Sequence, residues 1–311
     1  MNPARICLLY PQYGHFPSYF ELWALSASKN TAIDFYLITD LSKPLWASKY
    51  PNLRFVSMKL EEIKNRARSI LKFQCTLNQP YKLCDYRPLY PLIFADLIKP
   101  YEYWGYGDLD TILGSFSSFL TPEILASNDL FFGRGHLSIF RNKNSLNSLS
   151  LSLPESTLRE VYQSERFSSF DESQNGLPAL CRKQGMKYFS DFSLVAEMRP
   201  EVSRLSNAGR PNEKNRQVYF WKDGVLTCFF LNHKDVHLQK YIYIHLQKRN
   251  MKNRCHYPEN GFLIAATWFQ DQSMQPSSKD IKKGSHRNLA FFLHFKYLYF
   301  KYYFLSKIKH H

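Results

Sequence analysis

The chain has 311 residues, enough for one large domain or two small ones with a substantial buried core. Its composition, 44% hydrophobic and 16% aromatic, excludes an intrinsically disordered protein. The net charge of +15 indicates a polyanionic partner, such as nucleic acid, an anionic membrane or a phosphorylated substrate.

Cysteine usage and hydropathy indicate where the protein resides. The cysteines form no Cys-X-X-Cys pair and no zinc-like spacing, as expected for reduced thiols of a cytoplasmic protein. No secretory signal is visible, and no apolar stretch approaches the roughly 20 residues needed to span a bilayer. We therefore expect a cytoplasmic protein or one attached to a membrane surface.

The first hundred residues alternate between apolar runs and turn residues. Residues 5–10, 33–38 and 53–58 predict strands, and the apolar residues Phe20, Trp23, Ala24 and Ala27 predict a helix between the first two strands. Strand, helix and strand joined by short loops indicate a parallel sheet covered by helices. Residues 61–73 predict a further helix, and the apolar segment 86–98 predicts another.

The second half of the chain predicts paired strands. Residues 130–132 and 137–140 flank a Gly-Arg-Gly turn, and residues 218–221 and 226–231 flank Lys-Asp-Gly, a strong hairpin signal. No internal repeat is visible, and the first change in composition falls near residue 260. The sequence thus predicts a domain at 1–260 and a basic, aromatic tail at 261–311.

The segment Tyr103–Asp110, which reads Tyr-Trp-Gly-Tyr-Gly-Asp-Leu-Asp, is the most informative motif. An aromatic stretch that could end a buried strand leads into two acids, Asp108 and Asp110. In α/β proteins ligands bind beyond the carboxyl ends of such strands. Two acids held there without a basic neighbour repel each other unless a proton or a divalent cation joins them. The motif therefore predicts a metal-and-phosphate site, with a solvated turn as the alternative.

A second constellation precedes the apolar segment 86–98 and contains Lys82, Asp85 and Arg87. Arg and Lys suit a diphosphate, and Asp could orient the Arg or accept a sugar hydroxyl. An exposed, charged turn is the alternative. About 25 residues separate this segment from the two acids, so we expect both to reach one nucleotide-binding pocket.

A third candidate is His245, in the segment 241–249. Strand alternation places it on one face with Tyr241 and Tyr243, where imidazole could be the third ligand of the cation. Lys248, or the arginine after it, could contact the phosphates. A structural histidine is the alternative, and His233 and His237 compete for the same role.

Two weaker candidates complete the set. His136 follows the Gly-Arg-Gly turn, close enough to a flexible backbone to contact a ligand, although a plain hairpin turn explains it equally well. Asp171 and Glu172 could contact an acceptor hydroxyl as base or orienting group. Helix-capping or solvated acids are the alternative for this pair.

The order of these blocks over residues 4–250 resembles a family of bacterial proteins encoded among capsule and lipopolysaccharide biosynthesis functions, similar to GT-A-type glycosyltransferases. The strongest blocks are residues 81–114 and 241–249. The resemblance implies an α/β, GT-A-like (Rossmann-like) fold with a mixed sheet flanked by helices. It also implies that Asp108, Asp110 and His245 hold Mn²⁺ or Mg²⁺ against a nucleotide diphosphate.

The tail after residue 260 has no counterpart in that family. From residue 281 to the end it carries seven Lys or Arg and no acid, mixed with Phe and Tyr. Basic and aromatic residues together suit a helix lying on anionic lipid, and a terminal helix packed on the domain is the alternative.

Together these features predict a metal-dependent hexosyltransferase. It would move a sugar from a nucleotide-sugar, with a UDP-sugar as the expected donor, to a lipid-linked or lipopolysaccharide glycan at the inner membrane face. The alternative is a nucleic-acid-binding protein or nuclease, which the charge and the aromatic residues would suit. Because the charge concentrates in the tail and no nucleic-acid motif is visible, we expect no nucleic-acid partner. A non-catalytic scaffold for envelope assembly would keep the fold without needing the acids.

Overall fold

The computed structural model of the protein describes residues 5–199, 202–209, 215–247, 249–285 and Leu293. The described residues divide into two compact units. The first unit contains the residues up to 20 together with 30–109 and 117–192. The second contains residues 21–29 and 110–116 and the described residues from 193 onward. The chain therefore passes from the first unit to the second within the Asp-Leu-Asp motif.

The secondary structure of the described residues consists of short strands and helices. The strands are β1 Ile6–Pro11, β2 Ile33–Thr39, β3 Leu53–Ser57, β4 Tyr103–Gly107, β5 Thr111–Leu113, β6 Leu130–Arg134, β7 Leu137–Arg141, β8 Tyr188–Phe189, β9 Val195–Glu197, β10 Gln217–Lys222, β11 Val225–Asn232, β12 Asp235–Tyr241, β13 Tyr243–His245, β14 Lys252–Arg254, β15 Phe262–Ile264 and β16 Trp268–Asp271. The α-helices are α1 Phe20–Ser28, α2 Leu60–Leu71, α3 Leu83–Tyr86, α4 Tyr90–Ile93, α5 Ala95–Ile98, α6 Pro122–Ser127, α7 Asn144–Asn147, α8 Glu155–Tyr162, α9 Leu177–Lys183 and α10 Ser278–Gly284.

The first unit is built on a seven-stranded sheet with the order β3-β2-β1-β4-β7-β6-β8. Strands β1 to β4 are parallel, whereas β7 runs antiparallel to both β4 and β6. The sheet is therefore mixed, and its parallel half is the one that the first three apolar runs predicted.

One face of this sheet is covered by helices. Strand alternation directs Cys7 and Leu9 of β1, and Trp104 and Tyr106 of β4, into the same apolar core. Residues of α2, α4, α5, α8 and α9 pack against these strands in that core. The predicted α/β class, a mixed sheet flanked by helices, is confirmed.

The second unit contains a six-stranded sheet with the order β12-β11-β10-β15-β16-β14 and a three-stranded sheet with the order β5-β13-β9. The predicted hairpin is β10–β11, and its turn residues Asp223 and Gly224 have φ angles of 50° and 81°. Positive φ at both positions is the geometry of a type I′ turn, which matches the twist of the strands. Helix α10 covers β10 and β11 through Ile281.

Three expectations turn out differently in the structure. The apolar segment 86–98 is not one helix but several short turns, because Pro88 and Pro91 interrupt the helical hydrogen bonds. The predicted strand over 241–249 is limited to β13 and follows β12 after a bend. The six-stranded sheet continues past residue 260 with β15 and β16, and residues 286–292 and 294–311 of the predicted tail lie outside the described residues.

All six cysteines are free, as their spacing predicted. Among the described residues, no helix combines the length and the hydropathy that crossing a membrane requires.

Candidate active site

The carboxyl end of β4 is the natural ligand-binding edge of the first unit. The chain runs outward from β1 to β2 and β3, then returns to place β4 on the other side of β1. Such a reversal of strand order leaves a crevice at the carboxyl ends of the two central strands, where α/β proteins bind ligands. Asp108 follows β4 directly, and its backbone N–H donates to the carbonyl oxygen of His136 at 3.1 Å.

A buried arginine holds Asp108 in place. One guanidinium nitrogen of Arg87 donates to Asp171 Oδ2 at 2.6 Å, and another donates to Asp108 Oδ1. The guanidinium also lies 5.0 Å from the centre of the Tyr106 ring. We call Arg87, Asp108 and Asp171 the Arg87 cluster. It places one permanent positive charge between two carboxylates.

Burial and charge pairing act in opposite directions on the pKa values of this cluster. It raises the pKa of Asp171 above its ordinary value, although the Arg87 guanidinium acts in the opposite direction. Burial also disfavours the charged form of Arg87, but Asp108 and Asp171 outweigh it and hold the pKa of Arg87 well above its usual range. Removing Arg87 would leave the buried Asp171 without the counter-charge that lowers its pKa.

The turn after β6 lies against the acids of a 3₁₀ turn at Phe170–Glu172. Gly135 donates its backbone N–H to Glu172 Oε1 at 3.0 Å. A Cβ atom at Gly135 would lie 2.8 Å from Glu172 Oε1 and 3.2 Å from Arg87 Nη1, so any other residue would displace the Glu172 carboxylate from this position. Asp171 is buried, whereas Glu172 is exposed to solvent.

Lys82 and Asp85, predicted to line a nucleotide pocket, form a buried ion pair of 2.9 Å instead. Both side chains also bond to backbone groups of the same unit. Their polar atoms are thus occupied by protein groups, which their sequence pattern did not reveal because charged residues in a loop are usually exposed.

The second unit brings three strand ends together. Strand β13 pairs with β5 on one side and with β9 on the other, so that His245 lies opposite Thr111 and Glu197. Asp110 immediately precedes β5, and its carbonyl oxygen accepts the N–H of Leu246 at 2.8 Å. Asp110, His245 and Glu197 therefore meet at one end of the small sheet.

His245 connects the two acids. Its Nε2 lies 3.3 Å from Asp110 Oδ1, and its Nδ1 lies 2.9 Å from Glu197 Oε1, which also accepts from Gln247. Burial lowers the pKa of His245, but the hydrogen bonds to Asp110 and Glu197 prevail and raise it to about 10. The imidazole is therefore charged at neutral pH. We call Asp110, His245 and Glu197 the His245 cluster.

Two donor atoms of this cluster, Asp110 Oδ1 and His245 Nε2, are spaced as ligands of one divalent cation. Two cis ligands of an octahedral ion, each about 2.1 Å from it, lie about 3 Å apart. The 3.3 Å between His245 Nε2 and Asp110 Oδ1 is close to that spacing. Imidazole and carboxylate are ligands that Mn²⁺ accepts. A cation would take the place of the imidazole proton, because only neutral imidazole binds metal.

The structure thus distributes the predicted residues between two clusters. Arg87, Asp108 and Asp171 lie together in the first unit, with Glu172 and the backbone of His136 adjoining them. Asp110 and His245 lie together in the second unit. The competing histidines, His233 and His237, are exposed, and Lys248 lies outside the described residues.

Glu197 was missed by sequence reasoning. It is separated from His245 by 48 residues, and only the parallel pairing of β9 with β13 brings them together. A weak signal existed, because Val195-Ala196-Glu197 is a short apolar run that ends on an acid.

The chain belongs to DUF6625, a family of unknown function, whose sequence model matches residues 8–273. A search of curated protein sequences finds no match.

Among solved structures, the chain is similar to glycosyltransferases. The apo form of the glycosyltransferase GlyE of Streptococcus pneumoniae TIGR4 is 14% identical, with a TM-score of 0.36, over 61% of this chain and 46% of that enzyme. The galactosyltransferase LgtC, in complex with donor and acceptor sugar analogues, is 12% identical, with a TM-score of 0.33, over 62% of this chain and 75% of that one.

Mouse xyloside xylosyltransferase 1 is 9% identical, with a TM-score of 0.37, over 68% of this chain and 90% of the mouse protein. This chain spans less than half the length of the pneumococcal enzyme.

Proposed function

We propose that the protein is a metal-dependent glycosyltransferase of GT-A-like architecture. The observation that carries the proposal is the pairing of Asp110 with His245, a carboxylate and an imidazole at the spacing of two cis ligands. Asp110 belongs to an Asp-X-Asp motif that begins at the carboxyl end of β4, the ligand-binding edge of a parallel sheet. Asp108, Asp110 and His245 are the proposed ligands of Mn²⁺ or Mg²⁺.

The proposed donor is a nucleotide-sugar, with a UDP-hexose expected. A divalent cation at the three ligands would offset the charge that grows on the leaving diphosphate. Arg87 donates to Asp108 and so helps to orient it at the end of its strand. Arg87, Asp108, His136 and Lys248 are the proposed contacts to the donor.

The acids of the 3₁₀ turn have separate proposed roles. Glu172 is exposed, and one of its oxygens is held by the N–H of Gly135. Its other oxygen could accept the proton of an acceptor hydroxyl, as a general base does. Asp171 is buried against Arg87 and is proposed to orient that arginine toward the sugar.

The first test is binding of nucleoside diphosphates, measured by titration calorimetry with and without Mn²⁺. We expect UDP to bind only with the metal, and Asp110→Asn to abolish that binding while the fold remains intact. Asp235→Asn is the matched control, because it removes one acid from an exposed strand of the same unit. Binding that is equal with EDTA, or unchanged in Asp110→Asn, would overturn the proposal.

The second test identifies the donor sugar. Nucleotide-sugars are screened for metal-dependent release of the nucleotide, and a UDP-hexose is expected to be hydrolysed slowly in the absence of acceptor. Salt-dependent binding of DNA or RNA, without any response to nucleotide-sugars, would favour a nucleic-acid-binding protein instead.

The proposed acceptor is a lipid-linked glycan of lipopolysaccharide or capsule, reached from the cytoplasmic face of the inner membrane. This proposal is supported by the sequence of the tail, because residues 281–311 contain seven Lys or Arg and no acid. Each basic residue near an anionic surface contributes about 1 kcal/mol. Co-sedimentation with anionic and neutral liposomes tests this, comparing the parent with a Lys296→Glu, Lys301→Glu variant. Equal binding to both lipids would contradict the proposal.

A further inference from the structure

The Lys82–Asp85 ion pair lies in the core of the first unit. Lys82 is 2% exposed and Asp85 is 0% exposed. The three N–H groups of an ammonium find three acceptors here, because Lys82 Nζ lies 2.9 Å from Asp85 Oδ2, 2.9 Å from the carbonyl oxygen of Val161 and 2.6 Å from that of Arg166. The ammonium has no donor left for a ligand.

The carboxylate of Asp85 also bonds to backbone groups of the following chain segment. Its Oδ1 accepts the backbone N–H of Phe170 at 2.8 Å, and its Oδ2 accepts that of Ser168 at 3.0 Å. The pair therefore bonds to backbone groups of residues 161, 166, 168 and 170. Each of these hydrogen bonds goes to a backbone group, so the pair bears directly on the path of the chain between these positions.

Other contacts of the segment held by the pair involve Gln163 and the side chains of Glu165 and Phe167. Residues 163–169 are mostly exposed, and Ser169 adopts a left-handed conformation with φ 54°. A non-glycine residue persists in that conformation when its surroundings impose it. The turn Phe170–Glu172, which carries Asp171 and Glu172, begins at the next residue.

A buried ion pair is a poor source of stability, because apolar residues of similar volume often stabilise a fold equally well. The contacts of this pair instead share one consequence, the placement of residues 166–170 immediately before the two acids. The need to place these residues explains why two charges are kept in the core.

We infer that Lys82 and Asp85 are positioning residues, which set the place of Asp171 and Glu172 and do not contact the nucleotide. The inference rests on the proposed function for the role of those two acids. The physical part, that the pair orders residues 163–172, is independent of any activity.

The decisive variant is Lys82→Met/Asp85→Leu, which removes both charges and keeps apolar volume in the core. Amide hydrogen exchange measured by mass spectrometry reports on the backbone directly, since the N–H groups of Ser168 and Phe170 lose their acceptor. We expect exchange at these two amides to accelerate at least 10-fold, with exchange in β1 and β2 and the urea midpoint unchanged.

The matched control is Lys64→Met/Glu61→Gln, which removes a pair with the same three-residue spacing in the same unit, in which Lys64 is half-buried and Glu61 is exposed. We expect no change of exchange in residues 163–172. If the apolar double variant does not fold, Asp85→Asn supplies the same readout, because a single amide oxygen cannot accept from Lys82, Ser168 and Phe170 together. Unchanged exchange at Ser168 and Phe170 in a folded variant would overturn the inference.

Enzyme kinetics separate positioning from ligand contact. We expect the double variant to bind UDP and Mn²⁺ with the parent's affinity, while kcat for nucleotide release falls at least 10-fold and KM stays within about 2-fold. An affinity for UDP that falls 10-fold with unchanged exchange would make the pair a ligand contact. A parent protein that binds no nucleotide would refute the proposed function, and the exchange result would still decide whether the pair orders the segment.

Discussion

The two aspartates of the Asp-Leu-Asp motif are held in different ways, although one residue separates them. In the first unit, Asp108 shares the Arg87 guanidinium with the buried Asp171. In the second unit, Asp110 shares the His245 imidazole with Glu197. Each cluster consists of one cation between two carboxylates, but the cations differ in chemistry.

The difference lies in the proton. A guanidinium keeps its charge at any pH a folded protein experiences and has no lone pair for a metal. An imidazole can give up its proton and become a metal ligand. The Arg87 cluster therefore has no proton to exchange for a divalent cation and holds Asp108 in orientation, whereas the His245 cluster can exchange a proton for the cation.

The largest expected effect comes from Arg87→Met. It leaves Asp171, buried and with a raised pKa, beside Asp108 without a counter-charge. Breaking a buried pair by removing one partner costs about 3–5 kcal/mol of the free energy of unfolding, which urea denaturation measures. Arg66→Met, which breaks the exposed pair with Asp96, is the control and should cost at most about 1 kcal/mol. A similar, small loss in both variants would contradict a buried cluster.

The pH dependence of stability tests the difference between the two cations. The pKa of His245 is raised from 6.5 to about 10, so its contribution is complete below pH 6.5 and is lost as the pH rises through 10. In EDTA, the free energy of unfolding of the parent should fall by a few kcal/mol between pH 7 and pH 9, relative to that of His245→Gln. The same comparison of the parent with Arg87→Met should be flat in that window, since guanidinium does not titrate. If the free energies of unfolding of the parent and of His245→Gln depended on pH in the same way, Asp110 and Glu197 would not raise the pKa of the imidazole.

The affinity for Mn²⁺ tests whether His245 is a metal ligand. His245→Ala should weaken Mn²⁺ binding, measured by titration with UDP present, by about 10-fold or more, because losing one ligand costs over about 1.4 kcal/mol. His237→Ala is the control, since that histidine lies on the exposed strand β12 of the same unit. An unchanged Mn²⁺ titration would make His245 a structural residue that only links Asp110 to Glu197.

The smallest effect is expected at Gly135. The Cβ of Gly135→Ala would meet Glu172 Oε1 at 2.8 Å, but a flexible, exposed side chain can move away, so the cost should be about 1 kcal/mol of the free energy of unfolding. A double-mutant cycle with Glu172→Ala isolates the contact, since the cost should largely disappear when the carboxylate is absent. Equal costs in both backgrounds would mean that the strain arises elsewhere in the turn.

Local patterns were sufficient for the parallel half of the first sheet. The strands predicted at 5–10, 33–38 and 53–58 agree with β1, β2 and β3 to within one residue, because short apolar runs bounded by turn residues have few alternatives. The same holds for the β10–β11 hairpin, whose Asp-Gly turn is a signal over two residues. The apolar pattern over 86–98 predicted one helix. Pro88 and Pro91, which lie inside it, divide the segment into short turns.

The sequence by itself determined which chemical groups the protein has and, at Asp108 and Asp110, that two acids follow a strand. Tertiary structure decided what each group does. Glu197 joins His245 only through the pairing of β9 with β13, and Lys82 and Asp85 are buried only because residues 161–170 fold over them. Contacts between residues tens of positions apart leave no periodic trace in a single sequence. Burial, which turns a charge from a ligand-binding group into a structural one, is a property of the folded chain alone.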